Sequence, residues 1–298
     1  MGKRSSKHTT KQREAISIKD EAAAPEPLKP WRELCDSDNK KAEDKLRSNI
    51  KQNNSTDFKI TLVGNSGAGK SSFINSAFSI SRRRIADVVR VKGEAVSGIG
   101  TFSFDGERAG PDDLFPSVVF LDTMGFSRSD GNKCNGISEE DLKRVCNGEI
   151  RIGHKFNVDS AKATTNKYRP NCVIFVVSAE IFLHDFNSTN IVLKEKMGSL
   201  YHCVPIDIPR IAVLTKCDNI CNDTAKDASN IFKSRIVERV VKKAATTLGL
   251  QENKVFPIVN YTKEVELKTT MNVPILYAVQ FALNFARDNA RSQLPDED

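Results

Sequence analysis

Gly64-Asn65-Ser66-Gly67-Ala68-Gly69-Lys70-Ser71 spells G-x-x-x-x-G-K-[ST], and the run before it, Phe58-Lys59-Ile60-Thr61-Leu62-Val63, has the character of a β-strand. A glycine-rich turn between a strand and a helix presents backbone N–H groups to phosphate oxygens. The first turn of the helix adds the positive end of its dipole. Gly64, Gly67 and Gly69 are expected to take backbone conformations closed to other residues. Asn65, Ser66, Ala68 and Ser72 complete the cradle, Lys70 would reach the β and γ oxygens, and Ser71 would hold Mg²⁺. The loop therefore predicts an α/β fold of the P-loop NTPase kind: a doubly wound, mostly parallel sheet with helices on both faces.

Such loops occur in kinases, ATPases and GTPases, and Thr215-Lys216-Cys217-Asp218 chooses among them. It follows the apolar run Ile211-Ala212-Val213-Leu214, whose carboxyl end would deliver it to the nucleotide crevice. A carboxylate at position 218 can accept two hydrogen bonds from N1–H and the 2-amino group of guanine, which adenine cannot offer. A site built in this way discriminates by roughly 10⁴. Lys216 would lay its stem along the base, and Thr215 is counted with Lys216 and Asp218 among the nucleotide-binding residues.

Between these motifs lies Ser117-Val118-Val119-Phe120-Leu121, followed by Asp122-Thr123-Met124-Gly125. This reads as a D-x-x-G step, with Asp122 at Mg²⁺ and the Gly125 N–H at the γ-phosphate. Phe126 comes next, where small GTPases place a glutamine that orients water. A phenylalanine can neither donate nor accept a hydrogen bond, so unaided hydrolysis is expected to be slow. Arg82-Arg83-Arg84 follow the first helix, and Arg84 is the candidate for a cationic catalytic group brought in by a switch.

The sequence has 298 residues, 39% of them hydrophobic and 28% charged, enough for a sizeable core. The first twenty residues carry no apolar segment of the secretory kind, and seven cysteines without paired spacing fit reduced cytosolic thiols. The net charge of +7 is concentrated in Lys3, Arg4, Lys7, Lys11 and Arg13. No aromatic-basic platform accompanies that arm, so specific nucleic-acid recognition is not expected. Met1-Gly2-Lys3-Arg4-Ser5-Ser6 fits M-G-x-x-x-[ST], and an N-myristoyl group on Gly2 next to a basic arm would supply the two signals that membrane contact needs.

The expected organisation is a disordered basic arm over 1–28, a helical segment over 29–56 docked on the next unit, a GTPase-like domain over 57–290 and a tail over 291–298. Helices are expected over 36–50, 71–78, 187–201 and 224–248, with Ile231, Ile236, Val240 and Ala244 of the last facing inward. Ser138-Glu139-Glu140-Asp141 is a capping signature for one more, ending near Gly148. Strands are expected at 102–104 beside the one at 117, at 171–177, and at 254–259, where Pro257 favours an edge. The segment to Thr101 would be the first switch, and Pro274 would open the final helix.

With these residues in place, the chain resembles the interferon-induced protein 44 family, GTPase-like proteins of innate immunity. The likeness is carried by Pro30-Trp31-Arg32, by Gly67 to Phe73 with Asn75-Ser76, and by Leu121 to Gly125. Leu142-Lys143 with Gly148, Phe156-Asn157, Leu214 to Asp218, Val259-Asn260-Tyr261 and Glu266-Leu267 complete it. It implies a P-loop GTPase fold, a hydrophobic residue after D-x-x-G, a cytoplasmic location and an antiviral or antiproliferative role. Asn260 would approach the base from the last strand through its backbone N–H.

Two functions stay open on the sequence alone. One is a guanine-nucleotide switch or weak GTPase using GTP/GDP and Mg²⁺, assisted by a partner or by self-association through the nucleotide face. The other is an interaction module that holds a nucleotide and scarcely hydrolyses it. A P-loop kinase or ATPase would leave Asp218 without a role.

Overall fold

The structure, a computed structural model, describes residues 29–51, 57–89, 104–129, 134–156, 168–183 and 187–292. The basic arm with Gly2, most of the first-switch segment, and the tail from 293 lie outside the described residues.

In chain order the elements are α1 (Asn39–Lys51), β1 (Lys59–Val63), α2 (Lys70–Arg82), β2 (Asp105–Arg108), β3 (Val119–Asp122), β4 (Ser127–Arg128) and β5 (Cys134–Asn135). They continue as α3 (Glu139–Cys146), β6 (Cys172–Ser178), α4 (Ser188–Cys203), β7 (Arg210–Thr215), α5 (Cys217–Ile220), α6 (Asn222–Lys226), α7 (Arg235–Leu248), β8 (Val255–Pro257) and α8 (Thr269–Ser292). Six strands form one sheet in the order β2-β3-β1-β6-β7-β8. All neighbours are parallel except β2, which runs antiparallel to β3. A short β4–β5 hairpin stands apart.

Side chains of a strand alternate between faces, and here both faces are buried. Val173, Phe175 and Val177 of β6 join one apolar cluster with Leu142 of α3, Met197 of α4 and Val241 of α7. Cys172, Ile174 and Val176 join the other, with Leu46 of α1, Phe73 of α2 and Leu276 of α8. The sheet is thus covered on both sides, as a P-loop NTPase α/β fold requires.

Three expectations need correction. The strand expected at 102–104 begins at Asp105 instead, and residues 102 and 103 lie outside the described set. Its Asp-Gly-Glu-Arg sequence is tolerated because β2 is an edge strand paired on one side only. The helix expected over 224–248 is broken: the Asp227 side chain accepts from Ser229 N–H to begin a 3-10 turn, and the Ser234 side chain accepts from Val237 N–H to start α7. Ile231 is buried in that turn, but Ile236 is 39% exposed on α7. Pro274 does not open the last helix but sits inside α8, where its missing N–H deprives the residue 270 carbonyl of a helical donor. Pro257, in contrast, lies on β8 at the sheet edge as its chemistry demands.

Candidate functional site

The carboxyl ends of β1, β3, β6 and β7 converge on the loop between β1 and α2. Gly67 (φ 70°) and Gly69 (φ 89°) take left-handed backbone that favours glycine. Gly64 does not, which corrects the sequence reading. A Cβ at Gly64 would lie 2.0 Å from the Val176 carbonyl oxygen, so this glycine is set by close approach to β6.

Behind the loop, two side chains hold its backbone. Thr215 Oγ1 donates to the Ala68 carbonyl at 2.5 Å, with the Val177 carbonyl at 3.3 Å, and Asn260 Nδ2 donates to the Gly69 carbonyl at 3.1 Å. The T-K-x-D motif and the phosphate loop are therefore parts of one structure. Asn260 differs from expectation, since its side chain engages the loop and its Oδ1 is buried without a partner.

Inside the loop, Lys70 Nζ donates to the Gly64 carbonyl at 3.2 Å and the Asn65 carbonyl at 3.4 Å. Burial pulls its ammonium below the ordinary lysine range, against the opposing charge of Asp122. Asn65 Nδ2 donates to the Ser66 carbonyl at 2.9 Å. Ser71 Oγ donates to Asp122 Oδ2 at 2.6 Å. Burial raises the Asp122 carboxyl, Lys70 and Ser71 oppose that, and Asp105, its cross-strand partner on β2, adds to it. Asp122 Oδ1 is buried with no hydrogen-bond partner. One hydroxyl, Ser71, and one carboxylate, Asp122 with its unpartnered oxygen, form an oxygen donor set that fits Mg²⁺.

On the base side, Lys216 caps α5 in left-handed backbone (φ 56°), and Asp218 lies one residue inside that helix, half-buried. Glu180, after β6, organises this corner and was missed in the sequence. It accepts from Ser178 Oγ at 2.8 Å and Asn219 Nδ2 at 3.0 Å, and lies 3.7 Å from Lys216 Nζ. Its signal was its place as the first acid beyond a strand whose end borders the crevice.

Arg84 is not brought to the site. It lies beyond the carboxyl end of α2, a 13-residue helix about 20 Å long with Lys70 at its other end. Arg82 there pairs with Asp113 at 3.1 Å. Phe126 is fully buried, in the apolar cluster that also contains Ile137 and Leu142. Neither side chain brings a polar group to the phosphate loop.

No protein-family model matches the chain. It is 29% identical over 252 residues to human interferon-induced protein 44, covering 80% of this chain and 54% of that protein. It is 25% identical over 255 residues to human interferon-induced protein 44-like, covering 82% and 54%. The chain thus spans about half the length of the curated relatives it matches. Among solved structures, Toc33 from Arabidopsis thaliana in complex with GDP and Mg²⁺ aligns with a TM-score of 0.46 and 17% identity, over 86% of this chain and 93% of that one. The fold assignment stands on the strand order and loop geometry described above. The chain is a sequence relative of the interferon-induced protein 44 proteins, built on a P-loop NTPase α/β fold.

Proposed function

We propose that this protein binds a guanine nucleotide with Mg²⁺ and acts as a nucleotide-dependent interaction module whose own hydrolysis is slow. The observation that carries this reading is the pair of buried charges at the loop: Lys70, with long contacts to the Gly64 and Asn65 carbonyls, and Asp122, whose Oδ1 is buried without a hydrogen-bond partner. Backbone N–H groups of Gly67 to Ser72 and the Lys70 ammonium would take the phosphates. Ser71 and Asp122 would hold Mg²⁺, which supplies positive charge to the phosphate oxygens. Asp218 would accept from the guanine edge while Glu180 steadies Lys216 beside the base.

Slow hydrolysis is supported by the burial of Phe126 and the distance of Arg84, so faster turnover would need a group from a partner or a second copy at the nucleotide face. A role in the interferon response is supported by the names of the sequence relatives, and a cytoplasmic location is proposed with it. Attachment to membranes through an acylated Gly2 remains part of the proposal, with the basic arm as its second signal.

Calorimetric titration of the full chain tests the central claim. GDP should bind at least a hundredfold more tightly than ADP, and Asp218→Asn should weaken GDP by about 1.5 to 3 kcal/mol. Equal affinity for the two nucleotides would overturn base recognition by this motif.

A further inference from the structure

The peptide joining Gly125 to Phe126 is clamped between two other backbone segments. On one side, Ser66 N–H donates to the Phe126 carbonyl at 2.7 Å and Phe126 N–H to the Gly64 carbonyl at 3.4 Å, making a parallel bridge between Asn65 and Phe126. On the other side lies Gly136 (φ 110°), where a Cβ would come 2.2 Å from the Gly125 oxygen and 2.5 Å from the Phe126 Cα. Only glycine lets the chain pass this closely.

The clamp is anchored at both ends. The Phe126 ring is fully buried. Beyond it, Arg128 Nη1 donates to Ser188 Oγ and Thr189 Oγ1 of α4, each at 2.9 Å. The β4–β5 pairing then leads to Gly136 and to Ser138, the capping residue of α3.

What the clamp presses against is the end of the phosphate cradle. A Cβ on Gly125 would sit 2.8 Å from Ser66 N and Cα and 3.0 Å from Lys70 Nζ. Along that direction there is no room for one methyl group, and a phosphoryl group is larger. Resting on the guanine-nucleotide reading above, we infer that the Gly125-Phe126 backbone, held by Ser66 and Gly136, occupies the terminal-phosphate position, so that the site selects a nucleoside diphosphate over a triphosphate. The bonds to Phe126 engage Gly64 and Ser66 and none of the residues from Gly67 to Ser71, which would take the β-phosphate. A third phosphoryl group enters only when the segment withdraws, which breaks the Ser66 bond and strains the Phe126 anchor. One lost buried hydrogen bond corresponds to about a tenfold loss of affinity.

The test is titration of the full chain, in Mg²⁺, with GDP and with a GTP analogue that cannot be hydrolysed. GDP should bind about tenfold or more tightly than the analogue. Hydrogen exchange at Phe126 and at residues 134–136 should be equally slow with and without GDP and faster with saturating analogue. An analogue that binds as tightly as GDP would overturn the inference and leave guanine recognition intact, whereas failure of GDP itself to bind would overturn both. Gly136→Ala puts a Cβ on the side toward which the clamped peptide must withdraw and should widen the ratio further. An unchanged ratio in the folded variant would show that the clamp does not set it, and if that variant does not fold, the wild-type ratio and exchange decide.

Discussion

Thr215→Val removes one hydroxyl from the place where base motif and phosphate loop meet, and almost nothing else, because valine has nearly the shape of threonine. Thr215 is fully buried, and its Oγ1 donates to the Ala68 carbonyl at 2.5 Å. The variant loses a net hydrogen bond of about 1 kcal/mol and leaves a carbonyl buried without that donor, for about 2 to 3 kcal/mol in total. For a domain of this size each kcal/mol lowers the melting temperature by about 2 to 4 °C, so a drop of about 4 to 12 °C is expected in a far-UV circular dichroism melt. GDP should stabilise the variant less than the wild type, since the loop that meets the phosphates has lost a backbone support. Thr215→Ser keeps the hydroxyl and should recover most of the loss. A valine variant melting within about 1 °C of wild type, or a serine variant as unstable as valine, would show that this bond does not couple the two motifs.

Two further outcomes follow from burial and charge. Phe126→Ala should cost about 3 to 5 kcal/mol in urea unfolding, yet leave single-turnover hydrolysis per folded molecule no slower; a large rate loss at full folding would place the ring in the chemistry after all. Asp113 is pushed up by burial, but hydrogen bonds from Arg82, the Gly110 N–H and Ser81, with the Arg82 charge, outweigh that and hold its carboxyl below the ordinary range. A depressed folded value means stability that is present above about pH 3.9 and lost as pH falls through the folded value, so the gap between wild type and Asp113→Asn should be wide near neutrality and shrink in acid. A gap independent of pH in thermal melts would refute that sign.

The sequence made β1, β6 and β7 legible because a parallel strand buried on both faces is a continuous apolar run, and made the phosphate loop legible because its spacing is dictated by backbone geometry. Asp105 to Arg108 was illegible for the opposite reason: an edge strand needs only one neighbour and can be built from Asp, Gly, Glu and Arg. The break near Ser234 was hidden by apolar residues that keep helical spacing across it, while the caps at Asp227 and Ser234 were the overlooked signal. Gly136 carried no local signature, because its reason is the passage of Gly125 and Phe126, distant in pattern though near in chain.

Motif matching treats every residue of a phosphate loop as evidence for a nucleotide, and the structure divides them. Gly64 is set by the Val176 carbonyl, Thr215 by the Ala68 carbonyl and Asn260 by the Gly69 carbonyl; each would be retained by a protein that kept this fold and bound nothing. Lys70 and Asp122 have no such reason. An ammonium this buried, held by two long carbonyl contacts and the charge of Asp122, carries a desolvation cost that a methionine in its place would avoid. A carboxylate 1% exposed with an unpartnered oxygen is equally costly to the empty fold. Their cost is offset when phosphates and a divalent cation supply the missing charges, so the functional reading rests on these two side chains far more than on the glycines that first drew attention to the loop.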